Sequence, residues 1–486
     1  MTSGARRRVL VIGGGVTGLT AAYRIRRARS DVEVAVLERR ARLGGNIVTE
    51  RRDGFLLDGG PDSFLRTKPE AVKLCRELGL ETDLVTPREE ARAVYVVSRG
   101  RLERMPGGMA LAVPTRLWPM LVTPLLSPAG KLRMLGDVLR RGEPEEDESI
   151  ERFITRRFGH EAAARLAAPL LGGIYAGDIA ELSVRATFPQ LAELEREHGS
   201  LVRGLFAAQR ARAGAPPPGG GLRGARDFLR WLHREAELAP SPFQSLRGGM
   251  GSLIDELATA LPPGAARTGA AARRVTREGA RFRVELEGGE RLDADAIVIA
   301  APAHVAARLL DDASLASELS AIPYVSTATV FFALRRHAVS HPLDGVGFIV
   351  PPGEARILAA TWVSSKWEGR APESHALLRA FVGGAPARGS LDVKETSDDE
   401  LARVAKDELE RLMGPIGAPL FTRVFRYEDS NPQPVVGHLA RLARITERTA
   451  LVPGLYLAGA PYDGVGIPDC VRQAEHVAAR VLAERC

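Results

Sequence analysis

Residues 8 to 38, RVLVIGGGVTGLTAAYRIRRARSDVEVAVLE, constrain the fold of this chain more tightly than any other stretch. Val9 to Ile12 is a short apolar run of strand type. Gly13, Gly15 and Gly18 then fit G-x-G-x-x-G, and an apolar helical pattern follows. A second apolar run, Val32 to Leu37, ends on the acid Glu38. Each part has a physical task. Gly13 permits a tight turn, Gly15 lets backbone approach a pyrophosphate, and Gly18 lets the helix pack on the strand. The helix start offers free N–H groups and a positive dipole end to phosphates. Glu38 can accept from both ribose hydroxyls of an adenosine. The spacing therefore predicts a dinucleotide site on a strand–helix–strand unit.

A chain of 486 residues suits two or three domains, and 45% hydrophobic residues can fill their cores. The formal charge is +7, and Arg supplies most of the excess. Such a balance points to nucleic acid, an anionic membrane or acidic substrates. No zinc spacing, RNA-binding signature or basic block with interleaved aromatics is present, so nucleic acid is the weakest of the three. Cys75, Cys470 and Cys486 are far apart in sequence. They suggest a reducing, cytoplasmic setting rather than a disulfide framework, and no cluster proposes a metal. The start, MTSGARRR, runs into the first strand without an apolar signal segment, and no apolar stretch has the length of a spanning helix.

Further along, 69 to 85 predicts a helix stopped at Gly79. Tyr95 to Val97 and Arg101 to Leu102 predict a hairpin through Arg99-Gly100. Residues 149 to 171 and 183 to 212 predict helices, the second long, and Pro216 to Gly221 a flexible loop. Leu246 to Leu261 reads as strand, glycine turn and helix. Residues 281 to 301 read as a hairpin and a strand, 323 to 425 as strand-like runs with one helix near 397 to 413, and 455 to 485 as a strand and a helix. The expected class is α/β. A discontinuous Rossmann-type domain (1–68, 245–310, 430–486) carries an inserted mixed-sheet substrate domain (85–112, 311–429) and a helical domain (113–240).

Downstream of Glu38 come Arg39, Arg42, Gly44-Gly45 and Asn46, which can wrap the pyrophosphate of a long cofactor. This stretch resembles the flavin amine oxidase superfamily, which carries RxGG here and binds FAD. The segment Gly459-Ala460-Pro461-Tyr462-Asp463-Gly464-Val465-Gly466-Ile467-Pro468-Asp469-Cys470 resembles the porphyrinogen oxidases of haem biosynthesis within it. So do Gly59-Gly60-Pro61-Asp62-Ser63-Phe64, Gly172-Gly173-Ile174-Tyr175-Ala176-Gly177-Asp178 and Gly248-Gly249-Met250. The resemblance runs from residue 9 to about 480. It implies FAD contacts at Gly13, Gly15, Gly18, Glu38, Arg39, Arg42, Gly45, Asn46, Gly60, Pro61, Asp62, Ser63, Ala272, Val465, Gly466 and Ile467. It implies substrate contacts at Gly173, Val346, Ile349 and Phe381. Two departures stand out. Asp62 replaces the Arg or Asn of many members, and Val94 replaces an Arg before Tyr95, for which Arg92 is the expected substitute.

The chemistry the resemblance implies is a six-electron oxidation of a porphyrinogen by FAD and dioxygen, with peroxide formed. Protoporphyrinogen IX is the first expectation and coproporphyrinogen III the alternative, to whose bacterial branch Thr361-Trp362, Lys366-Trp367 and Pro468-Asp469-Cys470 look closer. No residue presents itself as a catalytic base, which leaves the flavin as the reactive group. A flavin amine oxidase, a carotenoid desaturase and a non-catalytic flavin-fold protein are the rivals. The C-terminal motif argues against the first two, and flavin colour bleached by substrate would exclude the third. Finally, Leu117 to Leu126 is an apolar run with Trp118, flanked by Arg116, Lys131, Arg133, Arg140 and Arg141. Prolines 114, 119, 124 and 128 exclude one spanning helix. The run is a candidate for shallow insertion on the inner face of an anionic membrane.

Overall fold

The computed structural model describes residues 7–140, 145–212, 226 and 241–484. Its organising sheet has five parallel strands in the order Ala266–Thr268, Glu33–Glu38, Arg8–Ile12, Ala296–Ile299, Leu455–Leu457. Three well-separated stretches of chain thus meet in one sheet. Val9 lies between Val34 and Ala296, and the inner strands are apolar on both faces because both are covered. The helices Val16–Ala28, Gly251–Thr259 and Ile467–Ala483 bury Leu19, Ile25, Leu253 and Val471 on one face. The antiparallel strands Ala272–Glu278, Arg281–Leu286 and Arg291–Ala294 cover the other through Val284 and Leu292.

A second sheet of seven strands runs in the order Phe421–Pro432, Tyr324–Arg335, His375–Gly383, Ala359–Trp362, Gly347–Ile349, Val94–Ser98, Arg101–Arg104. The last pair is the expected hairpin, turned by Arg99 and Gly100, both at positive φ. One face of this sheet packs on the amphipathic helix Asp398–Met413 through Phe332, Leu378 and Leu401. Ser397 caps that helix by accepting from the Glu400 amide, and three acids occupy its first turn. The other face packs through Phe331, Leu377 and Phe425 on Phe55 and Leu57 of the hairpin formed by Thr49–Arg52 and Phe55–Asp58.

The third body is helical, and here the expectations need correction. The helix expected over 149–171 ends at Phe158, because Gly159 has φ +92 and closes it. The chain resumes as helix at His160–Ala162, widens over Ala163–Ala167 and continues as the helix Ala168–Tyr175. The long helix expected over 183–212 is three: Val184–Thr187, Pro189–His198 and Leu201–Arg212. Pro189 starts a new helix, and Gly199 at φ +66 ends it. The buried Arg157 holds this corner, donating to Asp137 Oδ1 (2.6 Å) and to the Gly199 carbonyl (2.9 Å). The helix expected from 69 ends at Glu77, before Gly79.

The apolar run 117–126 splits. Met120, Leu125 and Leu126 are buried in the helical core, and Trp118, Leu121 and Val122 are exposed. Leu132 and Leu139, on the following turns, are exposed as well. Among the described residues no helix is long and apolar enough to cross a membrane. The loop expected at Pro216 to Gly221, Arg141 and Cys486 lie outside the described residues. Cys75 and Cys470 are buried and unpaired.

Candidate cofactor and substrate site

At the C-terminal ends of the parallel strands a cavity of about 420 Å³ opens. Gly13, Gly15, Glu38, Arg39, Gly45, Asn46 and Ala272 line it, together with Arg40, His304 and Arg308, which the sequence had not singled out. A Cβ on Gly13 would meet the Ala300 carbonyl, and one on Gly18 the Gly13 carbonyl, so both glycines are needed for close packing. Gly15 differs. A Cβ there would touch only Gly45, 3.9 Å away across the cradle. The two glycine turns are joined, since the Gly44 amide donates to the Gly14 carbonyl at 2.8 Å. The helix Val16–Ala28 begins at Gly15 with no side-chain cap, which leaves its first N–H groups for an anion. A cradle that side chains would fill, ending on an uncapped helix and an acid, fits the pyrophosphate and ribose of FAD.

Glu38 is buried and its carboxylate is oriented by backbone. Oε2 accepts from the Gly14 amide and Oε1 from the Arg40 amide, both at 2.8 Å. Arg42 is placed otherwise than expected. It turns back onto the carbonyls of Leu43, Gly45 and Ile47 and closes the loop, while Arg40 lines the cavity. Gly60 sits so tightly on the Asn46 carbonyl that a Cβ would collide with it, which continues the cradle into Gly60–Ser63. The far end is Val465-Gly466-Ile467. Gly466 starts the helix Ile467–Ala483 without a side-chain cap. That N-terminus can face the pyrimidine edge of an isoalloxazine, where charge develops on reduction. His438 donates to the Pro461 carbonyl of the preceding loop, and Cys470 bonds Thr17 on the first helix.

The Asp62 carboxylate is engaged by protein groups. It accepts from Lys366 Nζ (2.8 Å), Trp367 Nε1 (3.1 Å) and Ser63 Oγ (2.8 Å). Burial alone would raise its pKa, but Lys366 and then Arg379 overcome this and hold it well below the usual carboxylate range. Arg379 lies under the same turn. It donates to the Gly59 carbonyl (2.7 Å) and the Gly60 carbonyl (2.5 Å) and stacks on the Phe381 ring at 4.3 Å. Behind it Asp58 faces Arg370 at 3.3 Å. The buried Tyr427 Oη has no hydrogen-bond partner among the described residues, close to Gly60.

Of the residues assigned to substrate, three converge. Gly173 lies in the helix Ala168–Tyr175, and nothing stands within 4 Å of where its Cβ would be. Ile349 and Val465 both pack against the helical core that contains Leu171 and Tyr175. Phe381 projects from the central strand beside Thr329, whose hydroxyl bonds the Gly59 carbonyl. Arg388 fastens this wall. It is buried and donates to the carbonyls of Ala168 (3.1 Å) and Val350 (3.2 Å), tying the Gly173 helix to the Ile349 strand. Val346 stands apart, just before that strand, with its amide on the Ala93 carbonyl. Arg92 pairs with Glu89 at 2.7 Å. Arg379 and Arg388 carry no motif of their own, and Lys366-Trp367 marked only a branch of the family, so the contacts alone reveal what these cations hold.

A model of the flavin-containing amine oxidoreductase family matches residues 16–482. The coproporphyrinogen III oxidase of Propionibacterium freudenreichii subsp. freudenreichii is 37% identical, over 98% of this chain and 90% of its own. The coproporphyrinogen III oxidase of Bacillus subtilis (strain 168) is 34% identical over 99% of both chains. A crystal structure from Exiguobacterium sp. 255-15 superposes with a TM-score of 0.84 at 33% identity, covering all of both chains. The chain belongs to the flavin-containing amine oxidoreductase family, on the branch of the coproporphyrinogen and protoporphyrinogen oxidases, and it is an FAD-dependent oxidase.

Proposed function

We propose that the chain oxidises coproporphyrinogen III to coproporphyrin III in haem biosynthesis, with dioxygen as acceptor. The observation that carries this is the full-length similarity to two coproporphyrinogen III oxidases at 34% and 37% identity. It reverses the first expectation, protoporphyrinogen IX, and agrees with the branch to which Thr361-Trp362, Lys366-Trp367 and Pro468-Asp469-Cys470 look closer. The substrate loses six hydrogens in three two-electron rounds, and three dioxygen molecules become three of hydrogen peroxide. Bound FAD supplies the two-electron acceptor and passes the electrons on to dioxygen. In this reading Gly13, Gly15 and the first helix hold the pyrophosphate, Glu38 holds the ribose, and the start of Ile467–Ala483 faces the ring. Gly173, Ile349, Val465 and Phe381 form an apolar slot for a flat macrocycle. They orient it and exclude water, and they hold no proton themselves. The exposed apolar face around Trp118 is proposed to rest on an anionic bilayer, as suits a poorly soluble substrate. The direct test offers both porphyrinogens to the holoenzyme and follows porphyrin fluorescence and peroxide. Faster turnover of coproporphyrinogen III supports the proposal, and faster turnover of protoporphyrinogen IX overturns it.

A further inference from the structure

Three cations and two carboxylates meet beneath the Gly59–Ser63 turn. Asp58 faces Arg370, and the two charges cancel. Asp62 is shared by Lys366 and Arg379, which leaves one positive charge over. Arg379 is buried, with the carbonyls of Gly59 and Gly60 against its guanidinium. Lys366 is the cation with a route to solvent, its side chain 15% exposed. An ammonium has three N–H donors. One of Lys366 goes to Asp62. Its other described neighbours are the Trp367 ring at 5.0 Å and the Phe243 ring at 5.9 Å, which attract a cation but accept no conventional hydrogen bond. A half-hidden surplus charge with donors to spare is costly unless an anion completes it.

We propose that Lys366, steered by Asp62, is a binding group for a carboxylate of the substrate. Asp62 then acts as a positioning residue. It brings a cation from the substrate sheet to the turn where a carboxylate of its own could not serve, Trp367 donating to the same oxygen from the same strand connection and Ser63 holding the other. This rests on the porphyrinogen reading, whose substrate is rich in propionates.

The test measures binding rather than turnover. Coproporphyrin III and its tetramethyl ester, in one detergent, are titrated into the FAD-loaded protein, with fluorescence quenching as the readout. Lys366→Met is expected to weaken the free acid by about tenfold to a hundredfold, the worth of one charge-assisted hydrogen bond, and to leave the ester unchanged. Lys366→Arg should recover most of the loss. Should Lys366→Met fold poorly, Asp62→Asn with Lys366→Met removes the pair together and carries the same expectation. Equal weakening of acid and ester, or no weakening of either, overturns the proposal. A wild-type protein that binds neither porphyrin overturns the porphyrinogen reading beneath it.

Discussion

An ionised carboxylate has about four lone-pair sites, and Glu38 has two of them on the Gly14 and Arg40 amides. Glu38 lines the cavity, and in the proposed reading its remaining sites accept from a ribose, so Glu38→Gln should loosen FAD by about tenfold or more while the fold survives. Equilibrium dialysis of FAD reads this, and unchanged affinity would remove Glu38 from the site. The flavin should come off on acid precipitation, because the Cys470 thiol is pushed up to about 11 by burial and stays protonated at neutral pH. His438 gives a pH signature. Burial lowers its pKa to about 4, and its Nδ1 has no partner among the described residues. The unfolded ring titrates near 6.5, so the unfolded chain binds the extra proton first as pH falls. The contribution is fully present above about pH 6.5. It is lost as pH drops toward 4, at about 1.4 kcal/mol per unit. The melting temperature should decline over that window, and His438→Gln should flatten the decline. An equal slope in the variant would assign the acid lability elsewhere.

The helix Ala168–Tyr175 presents two adjacent glycines with opposite tasks. A Cβ on Gly172 would press on Arg388 Nη1 at 3.0 Å, whereas Gly173 opens onto empty space. Gly172→Ala should therefore destabilise the protein, and Gly173→Ala should not. Gly173→Leu should abolish turnover with FAD content and melting temperature intact, and normal turnover there would show that the slot lies elsewhere. Gly173 was singled out because the Gly-Gly-Ile-Tyr-Ala-Gly-Asp motif is local. So was the first cradle, where Gly13, Gly15 and Gly18 act within one turn. The breaks at Phe158, Phe188 and Gly199 were missed although Gly159, Pro189 and Gly199 signalled them, because the apolar period carries on across each break. The pairing of Lys366 was out of reach for another reason: its partner Asp62 is 304 residues away, and no local pattern joins them. Arg42 shows the converse, a motif residue in the expected loop whose side chain bonds that loop instead of lining the cavity.

At the scale of the whole molecule, the five-stranded sheet holds the cradle, the seven-stranded sheet closes over it, and the helical body supplies Gly173 and one exposed apolar face. Trp118 is 66% exposed, Leu132 73% and Leu139 90%, with Leu121 and Val122 beside them. Solvated apolar side chains of this size on one body are what the proposed bilayer contact requires. Lys131 and Arg140 lie on the same stretch, although Lys131 reaches back to the Leu121 carbonyl and Arg140 to that of Arg156. Their charge still favours an anionic leaflet, and Trp118 suits the headgroup level. Leu125 is 2% exposed and belongs to the core, so an aspartate there would test folding rather than docking. The informative variant is Val122→Asp with Leu132→Asp, both at exposed positions. The wild-type protein should float with vesicles of anionic phospholipid and stay behind with neutral ones. The double variant, with unchanged FAD content, should lose about tenfold or more in vesicle affinity, since two apolar side chains of 1.5–3 kcal/mol each no longer enter the bilayer. Flotation equal to wild type would mean that this face meets something other than lipid.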